Sequence, residues 1–250
     1  MDFDEIMQSC KEHYRPFRGD VPYIRKPRSL IRSIEAAKSD GKRPVIAEIK
    51  PASPTAGKIR HVEDPGQLAR DYESSGACGI SVLTEPRYFH GSLENLQCST
   101  CVKVPVLRKD FLFDPVQVRE SYFYGADSLL LISSFFHEES LAYMIATCRS
   151  YNIEPLVEVH DLADIERSRI AGAHLYAINN RDRHTLSIDR SRTATLAKHV
   201  DGVTVSASGI STVAQLDEAL RHCDAALVGS ALMSAGNPGE ALKTLVYGDQ

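Results

Sequence analysis

The sequence predicts a single α/β domain, a (β/α)8 TIM barrel with an extra N-terminal helical segment. Its 250 residues match the usual length of one such barrel. From about residue 44 onward, short apolar runs alternate with longer segments that have apolar residues at helical spacing. Because the composition does not shift between these units, one closed parallel barrel is favoured over two domains. A doubly wound open sheet is the alternative, since a count of strands does not establish closure.

Eight runs are predicted to be strands because each is nearly continuously hydrophobic, as expected for strands covered on both faces. In chain order they are Pro44–Lys50, Gly79–Thr84, Val104–Lys109, Asp127–Ile132, Glu154–Val159, His174–Asn179, Val203–Ser206 and Ala225–Val228. We expect residues 44–250 to form the barrel and residues 1–43 an N-terminal extension of the same domain. Within that extension, Ser29–Lys38 reads as an amphipathic helix that covers one barrel end or holds substrate.

Local signals mark the helices between the strands. The predicted helical segments include Asp64–Ser75, Pro115–Tyr124, Glu138–Ser150 and Thr212–Leu220. Asp64 and Asp114 each precede a proline, which is the pattern of an N-cap acid before proline at the first helical position. Ser211 is expected to cap the segment that follows it. Three glycines that precede later strands are expected to end helices: Gly76, Gly125 and Gly172.

Composition and charge argue against several classes of protein. A formal net charge of −4 gives no electrostatic reason to expect nucleic acid as a partner. We expect a cytoplasmic protein without membrane contact, because the chain has neither a signal-peptide pattern nor about 18 consecutive apolar residues. Cys98 and Cys101 form a CxxC, but without a second ligand pair they are read as incidental thiols. The nine histidines show no metal-binding spacing, so no metal is expected.

Polar residues gather at the predicted C-terminal ends of the strands, where barrel enzymes place their active sites. Glu48 and Lys50 end the first strand, and alternation along a strand puts both on the same side. The later strands contribute Lys109, Glu158, Asn179 and Arg181. A structural ion pair between Glu48 and Lys50 is the plainer alternative. Recurrence at the same end of successive strands favours one shared cavity with a catalytic role.

The loops after the last two strands predict a phosphate site, and we therefore expect a small phosphorylated substrate. Glycine lets the backbone approach a ligand closely, and a short helix beginning near Ser230 would point free N–H groups at an anion. These loops are the frequent phosphate position in such barrels. A turn followed by a helix cap is the plainer alternative. The residues concerned are Ser208, Gly209, Gly229 and Ser230.

Aromatic residues and one histidine near the strand ends have two interpretations each. Phe89, Phe111 and Phe113 follow the second and third strands, where they either stack on an aromatic substrate ring or cap the barrel core. His160 follows Glu158 by two residues and is interpreted as a capping or surface residue rather than part of the site.

Eight short segments resemble the indole-3-glycerol-phosphate synthase family, in order from about residue 27 to 240. They are Ile46–Pro54, Ser81–Pro86, Phe89–Ser92, Pro105–Phe111, Pro155–Val159, Ile178–Asp182, Ser208–Ile210 and Gly229–Met233. The resemblance implies a lyase of tryptophan biosynthesis that acts without a cofactor. It implies ring closure, decarboxylation and dehydration of a carboxyphenylamino-deoxyribulose phosphate to indole glycerol phosphate, by a monomer or weak homo-oligomer.

The resemblance also implies roles for individual residues. Lys109 resembles the general acid that protonates the substrate carbonyl, and Glu158 the group that exchanges protons and stabilises an iminium intermediate. Lys50 resembles the lysine that holds the substrate carboxylate. Glu48 matches an acid that orients these groups, and Asn179 a residue that positions the substrate. The remaining matches are substrate and phosphate ligands: Ser53, Phe89, Phe111, Arg181, Ser208, Gly209, Gly229 and Ser230.

Two positions depart from the family pattern, and two other functions stay open. Ala207 stands where the family usually has a glutamate between two serines, and Arg183 replaces the usual leucine after the Asn-Asn-Arg-Asp motif. The first alternative is another phosphate-binding barrel such as a phosphoribosylanthranilate isomerase, whose chemistry would favour a Cys and Asp pair at the strand ends. The second is an inactive barrel that serves as a ligand-binding or scaffold subunit.

Overall fold

Eight parallel strands form a closed barrel in the computed structural model, which describes residues 2–19 and 25–248. The strands are β1 (Val45–Ile49), β2 (Gly79–Leu83), β3 (Val106–Lys109), β4 (Ser128–Ile132), β5 (Glu154–Val159), β6 (Leu175–Asn179), β7 (Val203–Ala207) and β8 (Ala225–Val228). All eight predicted strands are present, with ends shifted by two residues at most. Strand β1 pairs in parallel with both β2 and β8. The predicted TIM barrel is therefore confirmed, and the open sheet is excluded.

Helices surround this barrel, together with two short 3₁₀ turns and a small hairpin. The helices are α1 (Phe3–His13), α2 (Leu30–Ser39), α3 (Pro65–Ser74), α4 (Leu93–Ser99), α5 (Pro115–Phe123), α6 (Glu138–Ser150), α7 (Leu162–Ile170), α8 (Ser191–Leu196), α9 (Val213–Leu220), α10 (Ser230–Ser234) and α11 (Pro238–Tyr247). The 3₁₀ turns are Ser133–Phe135 and Ala197–His199, and the hairpin pairs Ala52–Ser53 with Gly57–Lys58. None of the described helices combines the length and the apolar character that crossing a membrane requires.

The predicted helix boundaries are mostly confirmed. The side chains of Asp64 and Asp114 cap α3 and α5, each accepting a hydrogen bond from a backbone N–H of the first turn. The three predicted stop glycines have left-handed φ angles of 98°, 90° and 84°. The prediction that Ser211 caps α9 is wrong, because Thr212 occupies the N-cap and accepts from Gln215 N. Ser211 instead donates its N–H and hydroxyl to the side-chain oxygen of Gln215.

Alternation along the strands divides the core into an interior and an outer layer. In β1, Ile46 belongs to the apolar cluster inside the barrel, whereas Val45, Ala47 and Ile49 pack in the cluster shared with the outer helices. Each fully buried aliphatic side chain of this kind stabilises the fold by roughly 1.5–3 kcal/mol. Glu48 lies on the same side as Ile46, so the alternation places its carboxyl inside the barrel.

The predicted N-terminal helix, found as α2, covers the N-terminal end of the barrel. Glu154 opens β5, and its carboxylate accepts hydrogen bonds from the backbone N–H groups of Leu30 and Ile31 at 2.7 and 3.0 Å. The hydroxyl of Ser33 donates to the carbonyl of Cys78, directly before β2. The structure supports a helix that covers one barrel end rather than one that holds substrate, because α2 lies at the end away from the predicted site.

Helix α1 was not predicted, and it lies over the opposite, C-terminal end of the barrel. Asp2 and Glu5 form a capping box that begins it. The backbone N–H of Phe3 donates to the carbonyl of Arg183 at 3.1 Å, and the Phe3 ring meets the Phe111 ring edge-on at 5.8 Å. The N-terminal segment therefore contacts both ends of the barrel.

A buried carboxylate fastens the chain before α2 to the barrel. Asp127 precedes β4 and has a fully buried side chain. It forms ion pairs with Arg25 and Arg28 at 2.7 Å each. It also accepts the backbone N–H of Val106 at 2.9 Å. We expect Asp127→Asn to lower the free energy of unfolding by about 2 kcal/mol, since it removes the charge from a desolvated network while keeping one acceptor. Denaturant titration followed by circular dichroism measures this.

The matched control is Glu166→Gln, which removes an equally short ion pair with Arg169 on the exposed surface of α7. Its unfolding midpoint should match that of the unchanged chain. Equal midpoints for both variants would show that Asp127 does not hold the N-terminal segment.

Candidate active site

A cavity of about 540 Å³ opens at the C-terminal ends of the strands. It is large enough for a small organic substrate. Every site residue predicted from the sequence lines it: Glu48, Lys50, Ser53, Phe89, Lys109, Phe111, Glu158, Asn179, Arg181, Ser208, Gly209, Gly229 and Ser230. The structure thus brings together side chains from strands that are far apart in sequence, while their individual roles remain predictions.

A buried carboxylate between two lysines forms the charged centre of this cavity. Glu48 Oε1 lies 3.1 Å from Lys50 Nζ, and Glu48 Oε2 lies 3.6 Å from Lys109 Nζ. Burial acts to raise the pKa of Glu48, but the positive charges of Lys109 and Lys50 outweigh it and hold that pKa below its usual value. The structural ion pair between Glu48 and Lys50, the plainer alternative, therefore exists, and it lies inside the cavity. Two cations around one anion leave a net positive charge that suits an anionic ligand.

Gly229 makes room for this carboxyl group. A Cβ atom at position 229 would lie 3.0 Å from both Cβ and Cδ of Glu48, and closer still to Oε1. Backbone conformation is not the reason for glycine here, because φ is −127°. Glycine at position 229 therefore leaves the space that the Glu48 side chain occupies, in addition to any part its backbone has in binding phosphate.

A second carboxylate, Glu158, is held by the neighbouring strand. Asn179 Nδ2 donates to Glu158 Oε1 at 3.0 Å, and Asn179 Oδ1 accepts the backbone N–H of Arg181 at 3.0 Å. Both side chains are buried. The amide group of Asn179 is thereby fixed in one orientation, with its NH₂ toward Glu158, and the carboxylate has a defined position at the cavity wall.

The interpretation of His160 as a capping or surface residue is wrong. Its ring is buried, and Nε2 lies 3.4 Å from Glu158 Oε1. Residues two apart along a strand share a side, so His160 follows Glu158 toward the interior. The ring of Phe3, on the unpredicted helix α1, meets His160 edge-on at 6.3 Å and closes off the solvent side.

An aromatic wall faces the charged groups. Phe3, Phe89 and Phe111 all line the cavity, and the Phe89 and Phe111 ring centroids are 6.2 Å apart. Leu130 and Ile132 of β4 extend the apolar surface. Such a wall suits a planar aromatic ring.

Phe113 was considered with these rings but does not line the cavity. It packs edge-on against Tyr14, with ring centroids 5.5 Å apart. Of its two interpretations, only a packing role agrees with the structure.

The loop after β7 has an unusual backbone at the predicted phosphate end. Ser208 and Gly209 have φ angles of 72° and 82°. Asn180 Nδ2 donates to the carbonyl of Ser208 at 3.0 Å and holds this turn in place. A Cβ atom at Gly209 would lie 2.6 Å from Ile188 Cγ2, so both the φ angle and the close packing favour glycine.

Comparison with known proteins identifies the family. A family model described as indole-3-glycerol phosphate synthase matches residues 5–245. The chain belongs to this family. An indole-3-glycerol phosphate synthase of Carboxydothermus hydrogenoformans is 40% identical over 98% of this chain and 100% of its own length. One of Methanopyrus kandleri is 40% identical over 97% of each chain. The predicted family is confirmed, and with it, at the level of the family, the carboxy-lyase class and tryptophan biosynthesis.

Solved structures with lower sequence identity support the fold alone. A 3-hexulose-6-phosphate synthase aligns with a TM-score of 0.65 at 16% identity, over 81% of this chain and 97% of its own. A tryptophan synthase alpha chain from Legionella pneumophila aligns with a TM-score of 0.61 at 14% identity, over 86% and 93%. The isomerase considered as an alternative is also disfavoured by the cavity itself, since no cysteine is among its described lining residues.

The departure from the indole-3-glycerol phosphate synthase pattern at Ala207 lies inside the site. Ala207 is buried, lines the cavity, and stands in register between Asn179 of β6 and Leu227 of β8. No carboxylate is present at this position, so Glu48 and Glu158 are the acids available near the lysines. Asp110 also lines the cavity but is engaged by Arg108 at 3.0 Å.

Several lining residues were not predicted. Phe3 belongs to α1, whose capping box of Asp2 and Glu5 was a usable signal in the sequence. Ile188 and Arg190 lie in the long loop between β6 and α8, where no pattern marks a residue as facing the site. Arg183, the second departure from the family pattern, lies in the same loop and contacts α1 rather than the cavity.

Proposed function

We propose that the chain converts carboxyphenylamino-deoxyribulose phosphate into indole glycerol phosphate within this cavity. The single observation that carries the proposal is the arrangement of Lys50 and Lys109 around buried Glu48, in one cavity with Glu158. The substrate is anionic at two places and aromatic at one. The cavity offers positive charge and a glycine-containing phosphate end for the two anionic groups, and an aromatic wall for the ring.

In the first step, Lys109 acts as the general acid. The ring carbon that bears the carboxylate attacks the substrate carbonyl carbon, and a carbon–carbon bond forms as the carbonyl oxygen takes the ammonium proton of Lys109. Glu48 supports this by fixing the ammonium at 3.6 Å. A general acid must be held within reach of the atom that it protonates, which accounts for a buried carboxylate in this place.

Ring closure leaves positive charge on the substrate nitrogen, and Glu158 stabilises that iminium by its negative charge. The substrate carboxylate, bound by Lys50, then leaves as carbon dioxide, and its bonding electrons restore the aromatic ring. In the last step the new hydroxyl group takes a proton from the ammonium of Lys50 and departs as water, while Glu158 accepts the proton that the five-membered ring loses. Asn179 holds Glu158 in place for both tasks.

The remaining predicted residues bind the ends of the substrate. Phe89 and Phe111 contact its aromatic ring, and Ser53 and Arg181 bind anionic and hydroxyl groups along the chain. The phosphate lies against the turns after β7 and β8. The left-handed backbone after β7 supports this, since it turns consecutive N–H groups toward one side. These phosphate-binding positions are Ser208, Gly209, Gly229 and Ser230.

We further propose that a single chain in the cytoplasm is the active unit. The fold of one chain brings all the predicted site residues into a single cavity, which supports a single chain as the active unit. All six cysteines are free, as is usual in a reducing compartment. Cys98 and Cys101 of the CxxC are among them and are exposed.

The purified protein, without added metal or nucleotide, is expected to convert this substrate to a fluorescent indole product with release of one carbon dioxide per product. Steady-state fluorescence and a coupled carbon dioxide assay measure both quantities. Phosphoribosylanthranilate is the comparison substrate, and it should not be isomerised. Turnover of that compound alone would replace the proposal by the isomerase function, and turnover of neither would favour an inactive barrel.

A further inference from the structure

His160 is a buried imidazole between two carboxylates. Its Nε2 lies 3.4 Å from Glu158 Oε1, and its Nδ1 lies 3.7 Å from Asp164 Oδ2. Neither ring nitrogen makes a hydrogen bond of acceptable geometry to a described residue. The side chain is 6% exposed, so bulk water does not replace the missing partners.

This arrangement is unfavourable for a residue that only fills space. Buried polar groups in proteins nearly always have hydrogen-bond partners, and an unpaired ring nitrogen is costly. A phenylalanine, although larger, would avoid that cost and would keep an aromatic contact with Phe3. The two carboxylates are the partners within reach, and a small rotation of the ring brings Nε2 toward Glu158 and Nδ1 toward Asp164.

Asp164 provides a fixed anchor for such a chain of contacts. Its Oδ1 pairs with Arg167 at 2.7 Å, and its Oδ2 accepts the backbone N–H of His160 at 3.0 Å. Burial acts to raise the pKa of Asp164, but the nearby His160 ring, the hydrogen bond from the His160 backbone N–H and the hydrogen bond from Arg167 outweigh it and hold that pKa below its usual value. Asp164 therefore stays ionised behind the imidazole, while Asn179 holds Glu158 from the other side.

We propose that His160 is a positioning residue for the reaction, which donates from Nε2 to Glu158 and holds that carboxylate in its orientation. This rests on the proposed role of Glu158 as the proton-accepting group. The charged groups around the ring are Glu158 on β5 and Asp164 with Arg167 on α7.

The test compares His160→Phe and His160→Gln with the control His174→Gln, an exposed histidine that precedes β6 at the far end of the barrel. His160→Phe is expected to lower kcat on the order of 10- to 100-fold, the range for loss of catalytic orientation. KM should change much less, because a positioning residue acts on turnover rather than on substrate binding. His160→Gln keeps a donor and should recover part of kcat, and the control should match the unchanged enzyme.

Two outcomes would overturn the proposal. One is His160→Phe, or the equally donor-free His160→Leu should the former not fold, with unchanged kcat, which would leave His160 as a packing residue. The second comes from ¹⁵N NMR of labelled histidine, where the His160 nitrogens should respond to Glu158→Gln, and no response would disprove the contact. Because the NMR measurement needs no turnover, it separates this proposal from a failure of the proposed function.

Discussion

Lys109→Ala is expected to lower kcat/KM by about 10³-fold while leaving the fold intact, as befits loss of a general acid. The side chain reaches from the end of β3 into the cavity, and its described contact is the ion pair with Glu48 at 3.6 Å. Truncation therefore removes little packing, and the remaining pair of Lys50 and Glu48 keeps the carboxylate balanced. Fluorescence assays of indole formation measure the loss, and circular dichroism with thermal unfolding checks the fold.

Two further variants make the result specific to proton donation. Lys103→Ala removes an exposed lysine before β3 and should retain full activity. Lys109→Arg keeps the positive charge but replaces an ammonium by a guanidinium, which releases its proton far less readily. It should bind substrate with similar KM and still turn over slowly. Turnover of Lys109→Ala within a few-fold of the unchanged enzyme would move the role of acid to another residue, with Lys50 the first to examine.

The barrel strands could be predicted because each is a short apolar run with covered faces, and hydrophobicity is visible locally. Closure of the barrel cannot be established from such local patterns. It depends on the pairing of β1 with β8, which joins the first and last strands of the barrel and has no signal in either segment alone. The end residues Glu48, Lys109 and Glu158 were identifiable because alternation and position at the strand ends jointly fix where such side chains point.

What could not be predicted depends on contacts between distant segments. His160 follows a strand as an ordinary polar residue, and the ring of Phe3, from the distant start of the chain, is among the groups that pack against it. Gly229 belongs to a sequence pattern typical of a phosphate-binding turn, yet its nearest neighbour is the carboxyl of Glu48. Helix α1 did have a signal in the capping box of Asp2 and Glu5, but no local pattern shows that it lies over the cavity.

Gly229→Ala is expected to lower kcat/KM by about 100-fold, which corresponds to about 2.7 kcal/mol of transition-state stabilisation. The added methyl group would overlap the carboxyl of Glu48, which is buried and can move away only by weakening its ion pairs with the two lysines. Displacement of Glu48 disturbs Lys50 and Lys109 together. Overpacking of this kind also destabilises the fold by about 1–3 kcal/mol. Kinetic assays and thermal unfolding measure the two effects separately.

The neighbouring Gly236 provides the matched control, since a Cβ there meets no atom within 4 Å. Gly236→Ala should leave both activity and stability unchanged. The decisive comparison is Gly229→Ala in a Glu48→Ala background, where the methyl group no longer meets a carboxyl. If steric conflict with Glu48 is the cause, the glycine substitution costs little additional stability in that background, and the two changes are strongly non-additive. Full additivity would instead assign the effect of Gly229→Ala to the phosphate-binding backbone, because that contact does not depend on the side chain of Glu48.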